Sequence, residues 1–171
     1  MTTRNMLIWD AGFVMAVSKN VANGAMDLKK LKHYLESRYG KFNRFYFLTS
    51  LNTDEQRGFH TWLQRDLKAD VVIKSTKVKR CGHCGSENIV EKGVDVAIVT
   101  LAIKFASQYD RLVLCNGDGD LVDAIKHVRD DLGKQVIIAG DLPSVSGDLL
   151  VNSDEFVDLS EPELVQKLLK S

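Results

Sequence analysis

The sequence predicts an α/β fold, a three-layer sandwich around a mainly parallel central sheet. Three observations predict it: short runs of wholly apolar residues, segments of helical spacing between them, and regular alternation of the two along the chain. Apolar runs without period-two alternation belong to strands buried on both faces, which is the condition of a parallel sheet with helices on either side.

The elements follow in order. Met6 to Trp9 form the first run, closed by Asp10. Leu28, Leu31, Tyr34 and Leu35 then mark one face of a helix, and Arg44 to Leu48 a second strand ending at Thr49 and Ser50. Phe59, Trp62, Leu63 and Leu67 are spaced for a second helix, before a short run at Val71 to Ile73. Val94, Ala97, Ile98, Leu101, Ala102 and Phe105 define the most apolar helix. Leu112 to Cys115 follow as a strand, then Leu121, Ile125, Val128 and Leu132 as one helix. Val136 to Ala139 and Glu155 to Leu159 complete the strands, and Pro143 and Pro162 are expected outside the regular elements. Tyr46, Phe47 and Trp62 fit core positions better than a stacking surface. Residues 1–171 read as one domain, with an exposed, basic, cysteine-containing loop or ribbon at about 74–90.

Composition narrows the class. Lys plus Arg number 23 and Asp plus Glu number 23, so no overall positive field marks the chain as a nucleic-acid binder; such binding requires a local patch. No run approaches the roughly 20 apolar residues of a membrane span, and the first residues lack the pattern of a secretory signal. Three cysteines, Cys81, Cys84 and Cys115, suit a reducing compartment better than a disulfide framework, so a cytoplasmic protein with no membrane partner is expected. Cys115, on a buried strand with no histidine nearby in sequence, reads as a core residue.

The carboxylates carry the chemistry. In open α/β sheets ligands bind beyond the carboxyl ends of the strands, where strand order reverses. Asp10 follows the first strand, Asp118 and Asp120 follow the strand at 112 to 115, and Asp95 starts the helix before it. If the two strands are neighbours, these acids converge on one edge. Clustered carboxylates repel unless a cation neutralises them, and hard oxygen donors select Mg²⁺ or Mn²⁺. The plainer reading is that Asp118 or Asp120 caps a helix and Asp95 favours a helix start through the dipole. An EF-hand loop from Asn116 is excluded by Leu121 and His127, which stand where Gly and Glu are needed. No Walker A or dinucleotide fingerprint is present.

Two stretches, "EKGVDVAIVTLAIKFA" (91–106) and "DRLVLCNGDGDLVDAIKHVRDDLGKQVIIAG" (110–140), with the ending "SVSGDLLVNSDEFVDL", resemble the NYN domain of the LabA-like (DUF88) group, a branch of the PIN-like ribonuclease superfamily. The resemblance covers most of the chain. It implies a Rossmann-type, PIN-like fold in which Asp10, Asp95, Asp118 and Asp120 are the metal-binding and catalytic acids of an Mg²⁺- or Mn²⁺-dependent endoribonuclease. Four positions depart from the family pattern. Phe13 stands where an asparagine supports the site, and Leu101 near where a further acid is expected. Asn116 and Leu121 replace a serine and a phenylalanine.

Lys74, Lys77, Lys79 and Arg80, with Lys92 beside the acidic helix, could seat an RNA backbone, or form only a solvated loop and local ion pairs. Cys81-Gly82-His83-Cys84-Gly85 resembles half of a zinc knuckle. Tetrahedral zinc needs four ligands, supplied by a second copy in a homodimer or by His83 with a distant residue such as His60, unless the turn binds nothing. Two other functions compete: a regulatory or RNA-binding module of the same fold without turnover, and a haloacid-dehalogenase-like phosphatase. The phosphatase lacks its proton donor, because Gly12 occupies the position of the second aspartate.

Overall fold

The computed structural model describes residues 2–50, 53–91 and 93–171, and the three-layer α/β expectation holds. Strands β1 (Asn5–Asp10), β2 (Phe42–Thr49), β3 (Asp70–Ile73), β6 (Arg111–Cys115), β7 (Gln135–Gly140) and β8 (Glu155–Asp158) form one wholly parallel sheet in the order β3-β2-β1-β6-β7-β8. Order runs outward from the centre in both directions, so its reversal lies between β1 and β6.

Strand alternation sends side chains to two separate cores. Leu7, Trp9, Phe45, Phe47, Val113 and Ile137 pack against α1 (Ala11–Ala22), α2 (Leu28–Tyr39), α3 (Asp54–Asp66) and α7 (Pro162–Leu168). Met6, Ile8, Leu48, Leu112, Leu114 and Ile138 pack against α4 (Val94–Lys104), α5 (Val122–Lys126) and α6 (Gly147–Val151). Both faces of the central strands are therefore dry, which is why their sequences are unbroken apolar runs.

Three local features differ from the sequence reading, and a fourth resolves its choice between loop and ribbon. Helix α1, not assigned from the sequence, has apolar residues at helical spacing (Ala11, Val14, Val17, Val21) but includes Gly12 and three valines, weak helix formers; it is held by the Asp10 cap and by burial of Ala11, Val14 and Val17. The segment from Leu121 to Leu132 is not one regular helix. It begins as a tight turn at Gly119–Leu121, becomes α5, and ends in a wider turn in which the Leu132 N–H bonds the His127 carbonyl at 3.0 Å. Pro162 is the first residue of α7, where a missing N–H costs no helical bond. The irregular segment after β3 is an antiparallel ribbon of β4 (Thr76–Arg80) and β5 (Glu87–Glu91), outside the main sheet. Among the described residues no helix is long and apolar enough to cross a membrane.

Candidate active site

The cleft is built outward from the reversal point. Trp9 pairs with Cys115, so the residues that follow, Asp10 and Asn116, leave neighbouring strands at the same edge. The Phe13 N–H donates to Asp10 Oδ1 at 3.3 Å, which starts α1, and Asn116 Nδ2 donates to Asp10 Oδ2 at 2.9 Å. Asn116 is 2% exposed. Its Oδ1 accepts the Asp118 N–H at 2.7 Å, and Asp118 Oδ1 accepts the Asp120 N–H at 2.9 Å. Asp118 thus caps the turn beginning at Gly119 while standing on the cleft, so the capping and cleft readings of this residue are compatible.

Asp95 arrives from the other side, in the first turn of α4. Gly93 precedes that helix at φ +81°, a left-handed conformation that suits glycine and explains the glycine of the Lys-Gly-x-Asp pattern. Asp10, Phe13, Gly93, Val94, Asp95, Asn116, Gly117, Asp118 and Ser144 together line a cleft of about 400 Å³. Asp120 is exposed and does not line it.

Close packing sets the floor. A Cβ on Gly117 would lie 2.2 Å from the Ser144 carbonyl oxygen and 2.7 Å from the Phe13 ring, and a Cβ on Gly140 would also lie 2.7 Å from that ring. Phe13 is wedged against the Gly117 turn and the end of β7, which is what its aromatic ring does at a position where the family pattern has an amide. The amide reaches Asp10 from the neighbouring strand instead, through Asn116. Leu101 faces the second core, so it packs where an acid was expected.

The residues that sequence reasoning missed lie on the next strand's edge. Asp141 follows β7, is 2% exposed, and accepts from Ser144 Oγ at 2.9 Å and Asn20 Nδ2 at 3.3 Å; its Oδ1 has no hydrogen-bond partner among the described residues. The Ser146 N–H donates to the Gly117 carbonyl at 2.9 Å. This loop therefore pins the Gly117 turn. Its only sequence signal is an aspartate directly after an apolar strand, the same signal that marks Asp10.

Three carboxylates and no Lys, Arg or His line the cleft among the described residues. Such a set of hard oxygen donors matches Mg²⁺ or Mn²⁺ in chemistry. In position, no three His, Cys, Asp or Glu side chains among the described residues are gathered closely enough to hold an ion as they stand.

The basic residues are divided by the ribbon. Lys77 and Lys79 alternate onto one face of β4, while Arg80 falls on the other, 3.9 Å from Glu87. Lys74 is partly buried before the ribbon, its N–H bonded to the Thr49 carbonyl at 2.7 Å. Lys92 lies outside the described residues. Cys81 and Cys84 are exposed at the ribbon's tip, whereas His60 is buried on α3. The Ser86 hydroxyl, 3.0 Å from Cys84 Sγ, and neighbouring backbone groups hold the Cys84 thiol down at about 7. Burial pushes the Cys115 thiol far above its ordinary value, in keeping with a core role.

The parallel sheet, the order of its strands and the acidic cleft at their reversal define the class, a PIN-like nuclease fold. The NYN domain model matches residues 4–161, and the chain belongs to that family. No curated protein sequence matches it. Among solved structures it is similar to a protein of unknown function, VPA0982 from Vibrio parahaemolyticus RIMD 2210633, at 22% identity and a TM-score of 0.75, over 99% of this chain and 98% of the other. That likeness concerns the fold. Two structures from work on sirtuin substrate affinity and on the mechanism and regulation of Sir2 enzymes align at 11% and 12% identity. They cover 96% and 98% of this chain, and 92% of each of theirs, with TM-scores of 0.44 and 0.42, too slight to bear on fold or function.

Proposed function

We propose that the chain is an Mg²⁺- or Mn²⁺-dependent endoribonuclease. The observation that carries this reading is the convergence of Asp10, Asp95 and Asp118, from β1, α4 and the turn after β6, on one cleft of an NYN domain. These three would hold the metal, which when bound supplies an activated water and charge stabilisation at the phosphodiester. Asn116 positions the pair on either side of it, orienting Asp10 by its amide and Asp118 by its carbonyl. Asp120 acts one step out, through the backbone N–H that fixes the Asp118 carboxylate. Lys77 and Lys79, on one face of the ribbon that leads into α4, are placed to seat an RNA backbone, with Lys74 at its base and Lys92 after it.

The test is incubation of the purified chain with single-stranded and structured RNA in Mn²⁺ or EDTA, beside the Asp118→Asn variant. Cleavage that needs the metal and disappears in the variant supports the reading; equal cleavage by both proteins removes the cleft from it.

A second reading, an RNA-binding module without turnover, has one observation in its favour: the acids do not stand as a ready-made set of three ligands. Titration calorimetry with Mn²⁺ separates the two. Saturable binding that Asp118→Asn abolishes argues for the enzyme, and absence of binding argues for the module.

A further inference from the structure

The ribbon forms a separate two-stranded sheet outside the main one. Every described side chain from Thr76 to Ile89 is exposed, and a two-stranded ribbon without a core to pack on is marginal in water. Its centre nevertheless carries a cross-strand apolar pair, Val78 opposite Ile89, left 61% and 72% exposed. The neighbouring cross-strand pair on the same face is Arg80 opposite Glu87.

The tip is a tight turn that carries both cysteines. The Gly85 N–H donates to the Cys81 carbonyl at 2.9 Å, and the Cys81 N–H donates to the Ser86 carbonyl at 2.8 Å. Gly85 sits at φ +69°, folding the chain tightly around the Cys-x-x-Cys pair. Two thiolates are half of a tetrahedral zinc site, and among the described residues no third Cys, His, Asp or Glu is gathered with them.

We propose that a second copy of this chain completes the site: two ribbons meet about a two-fold axis running along their length, and Cys81 and Cys84 of each copy hold one shared zinc ion. The charge pattern selects this partner. Rotation about such an axis lays β4 of one copy over β5 of the other, so that Val78 meets Ile89 of the partner subunit and Arg80 meets Glu87 of the partner subunit. The two cysteine turns then stand side by side at the same level. An isologous contact must be complementary to itself, and an apolar pair beside a cation and an anion in matching register meets that condition. Strand alternation turns Lys77 and Lys79 away from the contact. The inference stands apart from the nuclease reading, since it uses neither the cleft nor RNA.

Three measurements on the full chain test it: light scattering for mass, metal analysis for zinc, and the absorption spectrum after replacement by Co²⁺. The expected result is a dimer with one zinc per two chains and a spectrum of four thiolates around cobalt. A strong chelator or Cys81→Ser should give a monomer of unchanged helix content. Val78→Asp should weaken dimerisation more than tenfold, with no core to disrupt in the monomer. The proposal is overturned by one zinc per monomeric chain, by a zinc-free monomer, by an intrachain Cys81–Cys84 disulfide in freshly purified protein, or by a dimer that survives both chelation and Cys81→Ser.

Discussion

At the amino ends of β1 and β6, Arg4 and Asp110 close on each other through side-chain bonds of 2.8 and 3.2 Å, and Arg111 is held by Asn5, Gln135 and the Tyr39 carbonyl. At the carboxyl ends of the same two strands, Asp10 and Asp118 share a cleft with Asp95 and no basic side chain among the described residues. The strands, their pairing and their packing are common to both ends. What differs is that an acid is set beside a base at one edge, while at the other three acids from separate elements gather on one cleft. A fold gains from the first arrangement, and repulsion between acids makes the second costly without a cation.

Matched Asp→Asn substitutions at the two edges sharpen this contrast most. Asp118→Asn should lower metal-dependent cleavage by more than about 100-fold, beyond the 10–100-fold typical of a ligand's outer partners. It should leave the melting temperature nearly unchanged, because an amide oxygen can still accept the Asp120 N–H. Asn116→Ala should come next: removing both bonds of a buried amide predicts about 1–3 kcal/mol of lost stability by denaturant melts, and a loss of activity of about 10–100-fold. Comparable activity loss in a variant at Arg111 would erase the distinction between the edges.

Gly117→Ala tests the cleft floor. A Cβ directed 2.2 Å from the Ser144 carbonyl cannot be accommodated by a side-chain rotation. The expected cost is about 1–3 kcal/mol, read as a fall of roughly 3–10 °C in Tm for a chain of this size. The smallest effect belongs to Asp110→Asn. Arg4 holds the Asp110 carboxyl well below the ordinary carboxylate range, chiefly through side-chain hydrogen bonding. A depressed folded-state value contributes stability above the unfolded value of about 3.9 and loses it as pH falls. The wild-type advantage over Asp110→Asn should therefore be present at pH 7 and shrink below about pH 4 in thermal melts, with cleavage unaffected throughout.

The three-layer architecture, the strands of the main sheet and the placing of Asp10 and Asp118 at strand ends were legible in the chain because each rests on local pattern. Unbroken apolar runs mark strands buried on both faces, and an aspartate after such a run marks the edge where ligands bind. Helix α1 was not assigned, because its Gly12 and valines are weak helix formers although Ala11, Val14, Val17 and Val21 stand at helical spacing. The ribbon was legible only as a basic, cysteine-containing segment, because the division of Lys77 and Lys79 from Arg80 follows from strand pairing.

The sequence by itself determined which residues are apolar, which are acidic, and that the acids follow strands. Only the tertiary structure decided that β1 and β6 are neighbours, a consequence of strand order that no local period encodes. It also decided that Asp95 joins Asp10 and Asp118 while Asp120 stays outside, that Asn116 supplies Asp10 with the amide absent at Phe13, and that Phe13 is a wedge under Gly117 and Gly140. The physical reason is the same in each case. Hydrophobic patterning acts along the chain, whereas hydrogen bonding and close packing act between atoms that only the folded backbone brings within reach.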